Sequence, residues 1–445
     1  MIYSTTARDD QLRGQLEGLT REDRDYWSFK GNSRREHGHG LFQYPAMMVP
    51  QVVRAVLQQA CAVHPEIDSI ADPFVGSGTI LTEAMLRGLS FAGIDCNPLA
   101  VLVCRVKEGP FFVNSLGKKI EELTSRVSSD HIERVDVAFP NLDKWFRLDV
   151  QIALSRIRRG ILQERSLWAR RFLWIGLAEV VRLTSNSRTS TYKLHVRPAD
   201  EIGARKLDPI GLFFRTILRN LGHFTEQGRF LQDHGYLVRG RYQRKIDVRL
   251  GDARRPGNGL QTDIVITSPP YGDNTSTVPY GQYSYLPLQW IDIADIDPAA
   301  GNQFLRSTCE IDARGLGGVK RVTSDERYKL TTRSPALANC LDLLTELPAD
   351  RGNRVAAFAR DLDRSLDPIL ASLRVGGLFV WILGNRRVGG RRVPLDEILI
   401  ELLAPRHVNL LCRLSRRISS KRMAPKNNIA DTMSSESILV MRKVA

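Results

Sequence analysis

Several features that identify other classes of protein are missing from this sequence of 445 residues. Its six cysteines form no Cys-x-x-Cys pair, so the sequence signals neither a zinc site nor a disulfide framework. No apolar run approaches the roughly 20 residues needed to span a bilayer. The polar, charged start does not resemble a signal peptide. These absences predict a cytoplasmic protein of a reducing compartment, without membrane association.

A metal-binding pattern is missing as well. His37 and His39 stand two positions apart in Arg-Glu-His-Gly-His-Gly, but they lack the partner acids or cysteines that would complete a ligand set. We interpret both histidines as solvated residues of a polar arm. The sequence therefore predicts no metal.

Acidic residues are too few to balance the basic ones. The 64 Lys and Arg residues against 49 Asp and Glu residues leave a formal net charge of +15. Residues 141–250 contain 22 basic and 10 acidic residues, and residues 411–427 contain no acidic residue at all. Such concentrated charge favours a polyanionic partner, with a solvated helix face as the alternative for any single arginine.

The order of predicted elements is typical of a doubly wound α/β sheet. From Ser69 to Val106 the pattern reads strand, glycine turn, helix, strand and helix. It stops at a long helix-like segment, resumes at about Lys245, stops again at about Pro298 and resumes at about Arg354. We therefore predict one α/β sheet that carries two insertions, the first of them mainly helical.

A glycine-rich turn, Asp72-Pro73-Phe74-Val75-Gly76-Ser77-Gly78-Thr79, joins the first predicted strand to its helix. Its glycines allow a tight turn and the close approach of a ligand, because no Cβ intervenes. The helix behind the turn offers free N–H groups, and Asp95 ends the next strand, where a carboxylate can bind a ribose diol. This combination favours a ligand site over a purely structural corner. The missing third glycine of Gly-x-Gly-x-x-Gly argues against NAD or FAD.

The same turn resembles the S-adenosylmethionine turn of amino-methyltransferases. The resemblance implies S-adenosyl-L-methionine as cofactor, with the ribose held at Asp95 and the adenine near Asp252. The stretch from Phe42 to Met48 is similar to the segment that closes over the methionine end in these enzymes. The cofactor residues implied in this way are Tyr44, Asp72, Phe74, Gly76, Ser77, Gly78, Thr79, Asp95, Cys96, Asn97, Asp252 and Ala253.

A rigid corner follows a second buried strand. The apolar run from Ile264 to Ile266 ends at Ser268-Pro269-Pro270-Tyr271, and the two prolines cannot donate to a ladder. An exocyclic base amine is a poor nucleophile, because its lone pair is delocalised into the ring. Two acceptors, the Ser268 hydroxyl and the Pro269 carbonyl, can draw the nitrogen towards sp³, while Tyr271 stacks on a flipped base. We predict these four residues as the catalytic site.

Both motifs together resemble the DNA amino-methyltransferases of the N4-cytosine/N6-adenine superfamily. The resemblance covers about Leu41 to Val106, Lys245 to Ile291 and Arg354 to Lys443. It implies a Rossmann-like sheet, double-stranded DNA as substrate and a location at the prokaryotic nucleoid. It leaves open a cognate nuclease or other defence-system partner, and the oligomeric state. One departure is the motif order, since many members of the Ser-Pro-Pro-aromatic type place the tetrapeptide before the cofactor turn.

The segment boundaries follow from the interruptions and from this resemblance. We expect a polar arm over residues 1–40 and a second insertion over residues 298–350. The first, basic insertion would be a target-recognition region between the two motifs. The remaining boundaries are residues 41–114 for the cofactor-binding half, 115–244 for the basic helical insertion, 245–297 for the catalytic half and 351–445 for the last part of the sheet.

The resemblance and the charge pattern together predict the DNA contacts. Tyr280 and Tyr283 would belong to a loop over the target base. The basic residues expected to contact DNA are Arg156, Arg158, Arg159, Arg188, Arg416, Arg417, Lys421 and Arg422.

Three alternatives stand against methylation of N4 of cytosine in DNA. Serine at the first position of the tetrapeptide favours N4 of cytosine within the superfamily, and N6 of adenine is the alternative. The tRNA guanine-N2 methyltransferases carry a similar turn, but they usually pair it with Asp-Pro-Pro-Tyr and an amino-terminal RNA-binding domain. A catalytically silent nucleic-acid-binding protein is disfavoured by the intact turn and tetrapeptide.

Overall fold

The computed structural model describes residues 6–255, 261–273, 277–298, 300–319, 321–418 and 433–445. Within them, seven strands join in one sheet. In chain order these are β1 Ser69–Asp72, β2 Ser90–Asp95, β3 Ile246–Leu250, β4 Thr262–Thr267, β5 Leu373–Gly384, β6 Val408–Arg417 and β7 Ser435–Lys443. Their spatial order is β3-β2-β1-β4-β5-β7-β6.

The sheet is mostly parallel. Strands β3, β2, β1, β4 and β5 pair in parallel, whereas β7 pairs antiparallel with both β5 and β6. In β4, Ile264 and Ile266 belong to one hydrophobic core and Val265 belongs to another. Because successive strand residues face opposite sides, the sheet is covered on both faces, as parallel sheets require. The predicted doubly wound α/β fold is confirmed.

Helices supply both covers. The larger core contains buried residues of α1 Ala7–Glu22, α2 Pro50–Val63, α3 Thr79–Met85, α4 Pro98–Lys107, α5 Val113–Ser129, α6 Leu142–Trp145, α7 Leu148–Leu162, α8 Leu167–Thr184, α10 Pro209–Asp233, α11 Tyr280–Trp290, α12 Ile293–Ile296 and α13 Glu310–Arg314. The smaller core contains residues of α14 Ser324–Arg333, α15 Pro335–Leu343, α16 Ala349–Ala371 and α17 Leu395–Leu403. The short α9 Ala199–Ala204 has no buried residue.

Two short hairpins stand outside the sheet. One pairs Leu237–Val238 with Arg241–Tyr242, and the other pairs Arg387–Val388 with Arg391–Arg392. The second, which we call the basic hairpin (residues 386–392), follows the end of β5 directly. Its position at the carboxyl end of a central strand matters for the site described below.

The amino-terminal segment is more ordered than its polar composition predicts. Helix α1 buries Leu12 and Leu16 against the larger core, and Trp27 is buried as well. Asp9 of α1 forms an ion pair with Arg442 of β7. The expectation of a partly ordered arm over residues 1–40 is therefore corrected, because apolar residues at helical spacing anchor this segment despite its many charges.

The basic insertion is a helical layer, and ion pairs attach it to the rest of the chain. The guanidinium of Arg170 on α8 contacts Asp295 of α12 at 2.7 Å, and the indole of Trp174 donates to the same carboxylate at 2.7 Å. Among the residues the structure describes, no helix has the length and apolar character needed to cross a membrane.

Candidate active site

The glycine turn joins the end of β1 to the start of α3. Gly76 and Gly78 have φ angles of +48° and +70°, the left-handed region that favours glycine. A Cβ on Gly78 would lie 2.8 Å from Sγ of Cys104. The N–H of Gly76 donates a hydrogen bond of 2.8 Å to Oδ2 of Asp95. The turn is therefore fixed against α4 behind it and against the end of β2.

Asp95 and Asn97 organise the wall next to this turn. The backbone N–H of Asn97 donates to Oδ1 of Asp95 at 2.8 Å, and its side-chain amide donates to the hydroxyls of Tyr44 and Ser284, both at 2.8 Å. Burial raises the pKa of Asp95 to about 6, although the backbone donors favour the charged form. At neutral pH the carboxylate is therefore charged, and its remaining lone pairs can accept from a ligand.

A cavity opens in front of the turn. All but one of the residues predicted for the cofactor line it, and the exception, Gly78, lies behind the turn against α4. The lining members are Tyr44, Asp72, Phe74, Gly76, Ser77, Thr79, Asp95, Cys96, Asn97, Asp252 and Ala253. A cavity lined by both apolar and polar side chains is typical of a cofactor site. We call it the cofactor cavity.

Asp252 lies at the cofactor cavity with its carboxylate already engaged. Arg254 donates to both of its oxygens, at 2.9 Å and 2.8 Å. Burial works to raise the pKa of Asp252, but the hydrogen bonds from Arg254 outweigh it and lower the pKa. Arg254 also contacts the buried Asp361 of α16 at 3.0 Å. Asp252 is therefore held charged and in one position.

The second insertion closes part of the same cavity, which the sequence did not predict. Ile311, Arg314 and Leu316 line the cofactor cavity. The N–H of Gly317 donates to Asp361 at 2.9 Å, which ties this segment to α16. Residues 298–350 carry no recognisable motif, so only the packing reveals their contribution.

Asp72 connects the cofactor turn to the tetrapeptide. Its Oδ1 accepts from the N–H of Phe74 at 3.0 Å and from the hydroxyl of Thr267 at 2.7 Å. Thr267 is the last residue of β4, so this bond holds the ends of the neighbouring strands β1 and β4 together. The side chain is buried, and burial raises the pKa of Asp72 to about 7.

The tetrapeptide lies directly after β4. The Ser268 hydroxyl donates to the Tyr271 hydroxyl at 3.3 Å, and the Tyr271 hydroxyl donates to Oε1 of Glu436 at 3.0 Å. All four residues of the tetrapeptide line a second cavity of about 730 Å³, which we call the target cavity. The sequence did not point to Glu436, because it is 165 positions away from Tyr271.

The two cavities share part of their walls. Ser268 and Pro270 line both of them. The other shared lining residues are Ala46, Met47, Met48 and Tyr280. The hydroxyl of Ser268 therefore stands where a molecule in one cavity faces a molecule in the other.

Basic residues border the target cavity. Arg351 and Arg387 are exposed at its rim, on α16 and the basic hairpin. Arg354 and Arg386 also line it and lie within 4 Å of the buried carboxylate of Asp273. The sequence analysis missed all four arginines, because only the fold brings α16 and the basic hairpin together at one opening.

Tyr280 and Tyr283 are not in a loop. Both belong to α11, and the buried Tyr283 donates its hydroxyl to the carbonyl of Gln43. The prediction that Tyr283 contacts the target base is corrected, because the packing of α11 on α8 buries it. Tyr280 stacks on Tyr44 with ring centroids 5.8 Å apart and lines both cavities.

Arg159 was predicted to contact DNA, and its guanidinium is committed inside the protein. It bonds to the carboxylates of Asp130 and Asp136 at 2.7 Å and 2.8 Å. It also donates to the carbonyls of Ile132 and Arg134. The prediction is corrected, because the side chain fixes the segment that precedes α6.

The other three arginines predicted from the basic insertion differ in their surroundings. Arg188 is exposed and pairs with Glu201 at 3.2 Å. Arg156 and Arg158 are half-buried and make no salt bridge within the described residues. None of the three lines the cofactor cavity or the target cavity. Their contact with DNA stays a prediction.

The basic stretch of residues 411–427 divides into three cases. Arg416 is 5% exposed and forms an ion pair with Glu436, so the prediction that it contacts phosphate is corrected. The side chain of Arg417 is largely exposed. Lys421 and Arg422 lie outside the described residues.

The two histidines also differ from the expectation of solvated residues. His39 is buried, and its Nε2 lies 3.0 Å from Glu83, which also accepts two hydrogen bonds from Arg54. Burial lowers the pKa of His39 to about 4. The backbone N–H of His37 donates to Glu226 at 3.2 Å. Both histidines therefore support the fold near α3 and α10.

Comparison with known proteins gives two similarities. No protein-family model matches the chain. The Type II methyltransferase M.MvaI of Kocuria varians is 28% identical over 453 residues, which cover 98% of this chain and 97% of that protein. The Type II methyltransferase M.MjaII of Methanocaldococcus jannaschii is 30% identical over 132 residues, which cover 28% of this chain and 24% of that protein.

The similarity to M.MvaI runs through the motifs and the insertions alike, because it covers nearly the whole of both chains. The parallel sheet with its antiparallel β7, and the cavity at the glycine turn, agree with it. The chain is thus similar over nearly its whole length to a Type II methyltransferase, which supports the predicted DNA methyltransferase with S-adenosylmethionine as its methyl donor.

Proposed function

We propose that the protein methylates N4 of cytosine at a specific site in double-stranded DNA, with the target base turned out of the duplex into the target cavity. The observation that carries this proposal is the position of Ser268, which lines both the cofactor cavity and the target cavity. A transferred methyl group has to pass between a donor in one cavity and an amine in the other.

The residues of the cofactor cavity fit S-adenosylmethionine. Asp95 offers a charged carboxylate with unused lone pairs to a ribose diol, and the turn at Gly76 has no Cβ to block a ligand. Tyr44 and Met47 would border the methionine end. Bound there, the cofactor supplies an electrophilic methyl group.

The amine is activated by acceptors on the tetrapeptide. The oxygen of Ser268 and the carbonyl of Pro269 would accept the two N–H groups of the amine, which frees the nitrogen lone pair from the ring. The diproline prevents this carbonyl from moving, and the hydrogen bond between Thr267 and Asp72 fixes the start of the corner. Catalysis is then mostly positioning and electrostatic stabilisation.

The rim of the target cavity would receive the DNA backbone. Arg351 and Arg387 are exposed there on two different elements. Arginine binds phosphate through planar, charge-assisted hydrogen bonds. We infer that these two residues, more than the arginines of the basic insertion, hold the strand from which the base is flipped.

The target base decides between the two forms of this function. Serine at position 268 favours N4 of cytosine by resemblance, while N6 of adenine presents the same pair of N–H groups to the same acceptors. Expression in a host without DNA methylation, followed by mass spectrometry of the nucleosides, tests the proposal. We expect N4-methylcytosine from the wild type and none from Ser268→Ala. Detection of N6-methyladenine instead would identify adenine, and not cytosine, as the target base. Unmodified DNA would contradict the proposed function.

A further inference from the structure

A series of hydrogen bonds leads from Ser268 along the wall of the target cavity to the sheet. The Ser268 hydroxyl donates to Tyr271 at 3.3 Å, and Tyr271 donates to Oε1 of Glu436 at 3.0 Å. The other carboxylate oxygen of Glu436 accepts from Arg416. Ser268 is thus connected to strands β6 and β7, which contain neither of the two motifs.

The far end of this series of hydrogen bonds is rigid. Glu436 of β7 pairs in register with Arg416 of β6 on one side and with Gly384 of β5 on the other. Arg416 is 5% exposed, and its Nε donates to the carbonyl of Trp27 at 3.0 Å. A carboxylate held between two strands by a buried guanidinium has little freedom to turn.

The ring of Tyr271 packs against strand β5, next to Glu436. A Cβ on Gly384 would lie 2.6 Å from Cδ2 of Tyr271, so the ring packs directly against the backbone of β5. The hydroxyl of Tyr271 can therefore reach Glu436 only from this position. Packing and hydrogen bonding select one orientation of the ring.

The two hydroxyls and the carboxylate can form these hydrogen bonds in only one direction, from Ser268 through Tyr271 to Glu436. A charged carboxylate only accepts, so the Tyr271 hydroxyl hydrogen points to Glu436. The oxygen of Tyr271 is then left as an acceptor, and the Ser268 hydroxyl hydrogen points to it. Both lone pairs of the Ser268 oxygen are then left to accept hydrogen bonds. Without Glu436 the Ser268 hydrogen could turn towards the amine and oppose its N–H groups.

We propose that Glu436, held by Arg416, is a positioning residue that acts through the Tyr271 hydroxyl to keep the Ser268 oxygen an acceptor for the amine of the target base. The inference rests on the proposed role of Ser268. It gives Tyr271 a second task besides stacking, because the hydroxyl and not only the ring takes part. No proton has to reach Glu436 for this effect.

Tyr271→Phe and Glu436→Gln test the inference, singly and together. Tyr271→Phe keeps the ring and removes only the hydroxyl. Glu436→Gln replaces the obligate acceptor by an amide that can donate towards Tyr271 and so reverse the direction of both hydrogen bonds. We expect each variant to lower the single-turnover rate of methyl transfer to DNA about 10-fold, with unchanged cofactor affinity and unchanged KM for DNA. The double variant is expected to be no slower than Tyr271→Phe, because the two residues act as one unit.

Controls separate this effect from a loss of folding. Glu66→Gln removes the carboxylate of another Glu–Arg pair, Glu66 with Arg8 at 3.1 Å, and is expected to keep the wild-type rate. A full rate in Tyr271→Phe would overturn the inference, and so would losses that multiply in the double variant. The assay counts methyl groups on any base, so a wild type that methylates no DNA refutes the proposed function, whereas an active wild type with unaffected variants refutes only the role of Glu436.

Discussion

The amide of Gly76 donates a hydrogen bond of 2.8 Å to the carboxylate of Asp95. This bond joins the turn after β1 to the end of β2, so two separate parts of the cofactor motif form one surface. The same carboxylate accepts from the backbone of Asn97 through its other oxygen. Asp95 is therefore both a support of the turn and a part of the cavity wall.

Asp95→Ala is expected to weaken S-adenosylmethionine binding between about 10-fold and 100-fold, the effect of losing a charged hydrogen-bond acceptor. Titration calorimetry measures this directly, with the exposed Asp200→Ala as control. In the wild type, affinity should fall as the pH is lowered through about 6, because the raised pKa of Asp95 leaves the carboxyl protonated below that value. Equal affinities of variant and wild type would contradict the assignment.

Ser268→Ala should lower the rate of methyl transfer by about 100-fold, the usual effect of removing one group that stabilises developing charge. Cofactor affinity should stay close to that of the wild type, because the hydroxyl donates to Tyr271 and to no residue of the glycine turn. Rapid-quench measurement of one turnover separates the chemical step from binding. Parallel losses of rate and cofactor affinity would refute a specific role in activating the amine.

Asp72→Asn should stabilise the protein in alkaline solution. Burial raises the folded-state pKa of Asp72 from its ordinary value of 3.8 to about 7, so the folded state binds the proton more tightly than the unfolded state. The resulting stability is fully present below pH 3.8 and is lost as the pH rises through 7. Because both donors reach Oδ1, an amide oxygen can accept them equally well.

Urea unfolding at two pH values measures this effect. We expect the advantage of Asp72→Asn over the wild type in free energy of unfolding to grow by about 2 kcal/mol between pH 5.5 and pH 8. The exposed Asp68→Asn serves as the matched control. A wild type whose stability does not fall between these two pH values would contradict a protonated Asp72.

Arg351→Gln and Arg387→Gln should each weaken DNA binding. If each arginine contacts one phosphate, each substitution reduces the slope of log affinity against log salt by about 0.9. Fluorescence anisotropy measures the affinity for DNA between roughly 50 and 200 mM salt, the range over which phosphate contacts weaken strongly. An unchanged slope would show that the rim of the target cavity does not hold the backbone.

Arg159→Gln provides the contrast for this series. Its guanidinium is bound to Asp130 and Asp136, so the substitution should lower the free energy of unfolding and leave the salt slope of DNA binding unchanged. A change in slope with wild-type stability would restore the sequence-based prediction for this residue.

Gly384→Ala should reduce methyl transfer through Tyr271. The added Cβ would clash with the side chain of Met433 and stand 2.6 Å from Cδ2 of the Tyr271 ring, so both side chains have to move away from β5. We expect about a 10-fold loss of single-turnover rate with normal cofactor affinity. Gly14→Ala, where no atom lies within 4 Å of the added Cβ, is the control. Normal activity of Gly384→Ala would mean that the position of the ring matters little.

The sequence predicted what depends on neighbouring residues and missed what depends on distant ones. Strand β4 and the corner after it follow from a local apolar run and two prolines. Arg416 was misinterpreted because no acidic residue stands near it in the sequence, and Glu436 reaches it only when β6 and β7 pair. Tyr283 was misinterpreted for the same reason, since its burial comes from the packing of α11 on α8.

The basic insertion shows a limit of reasoning from charge. Its excess of arginine predicted a nucleic-acid track, yet Arg159 and Arg170 bind carboxylates within the protein. A count of charges cannot distinguish an arginine that holds two segments together from one that faces solvent. The exposed arginines at the target cavity, Arg351 and Arg387, lie outside the basic insertion.

The ion pair between Asp9 and Arg442 joins residues that are 433 positions apart. A ribosome therefore makes α1 long before its partner on β7. During translation α1 can pack on α2, but the contact that holds it to the sheet has to wait. The same later strand supplies Glu436, so neither the ion pair of Asp9 with Arg442 nor the hydrogen bond from Tyr271 to Glu436 can form before β7 is made.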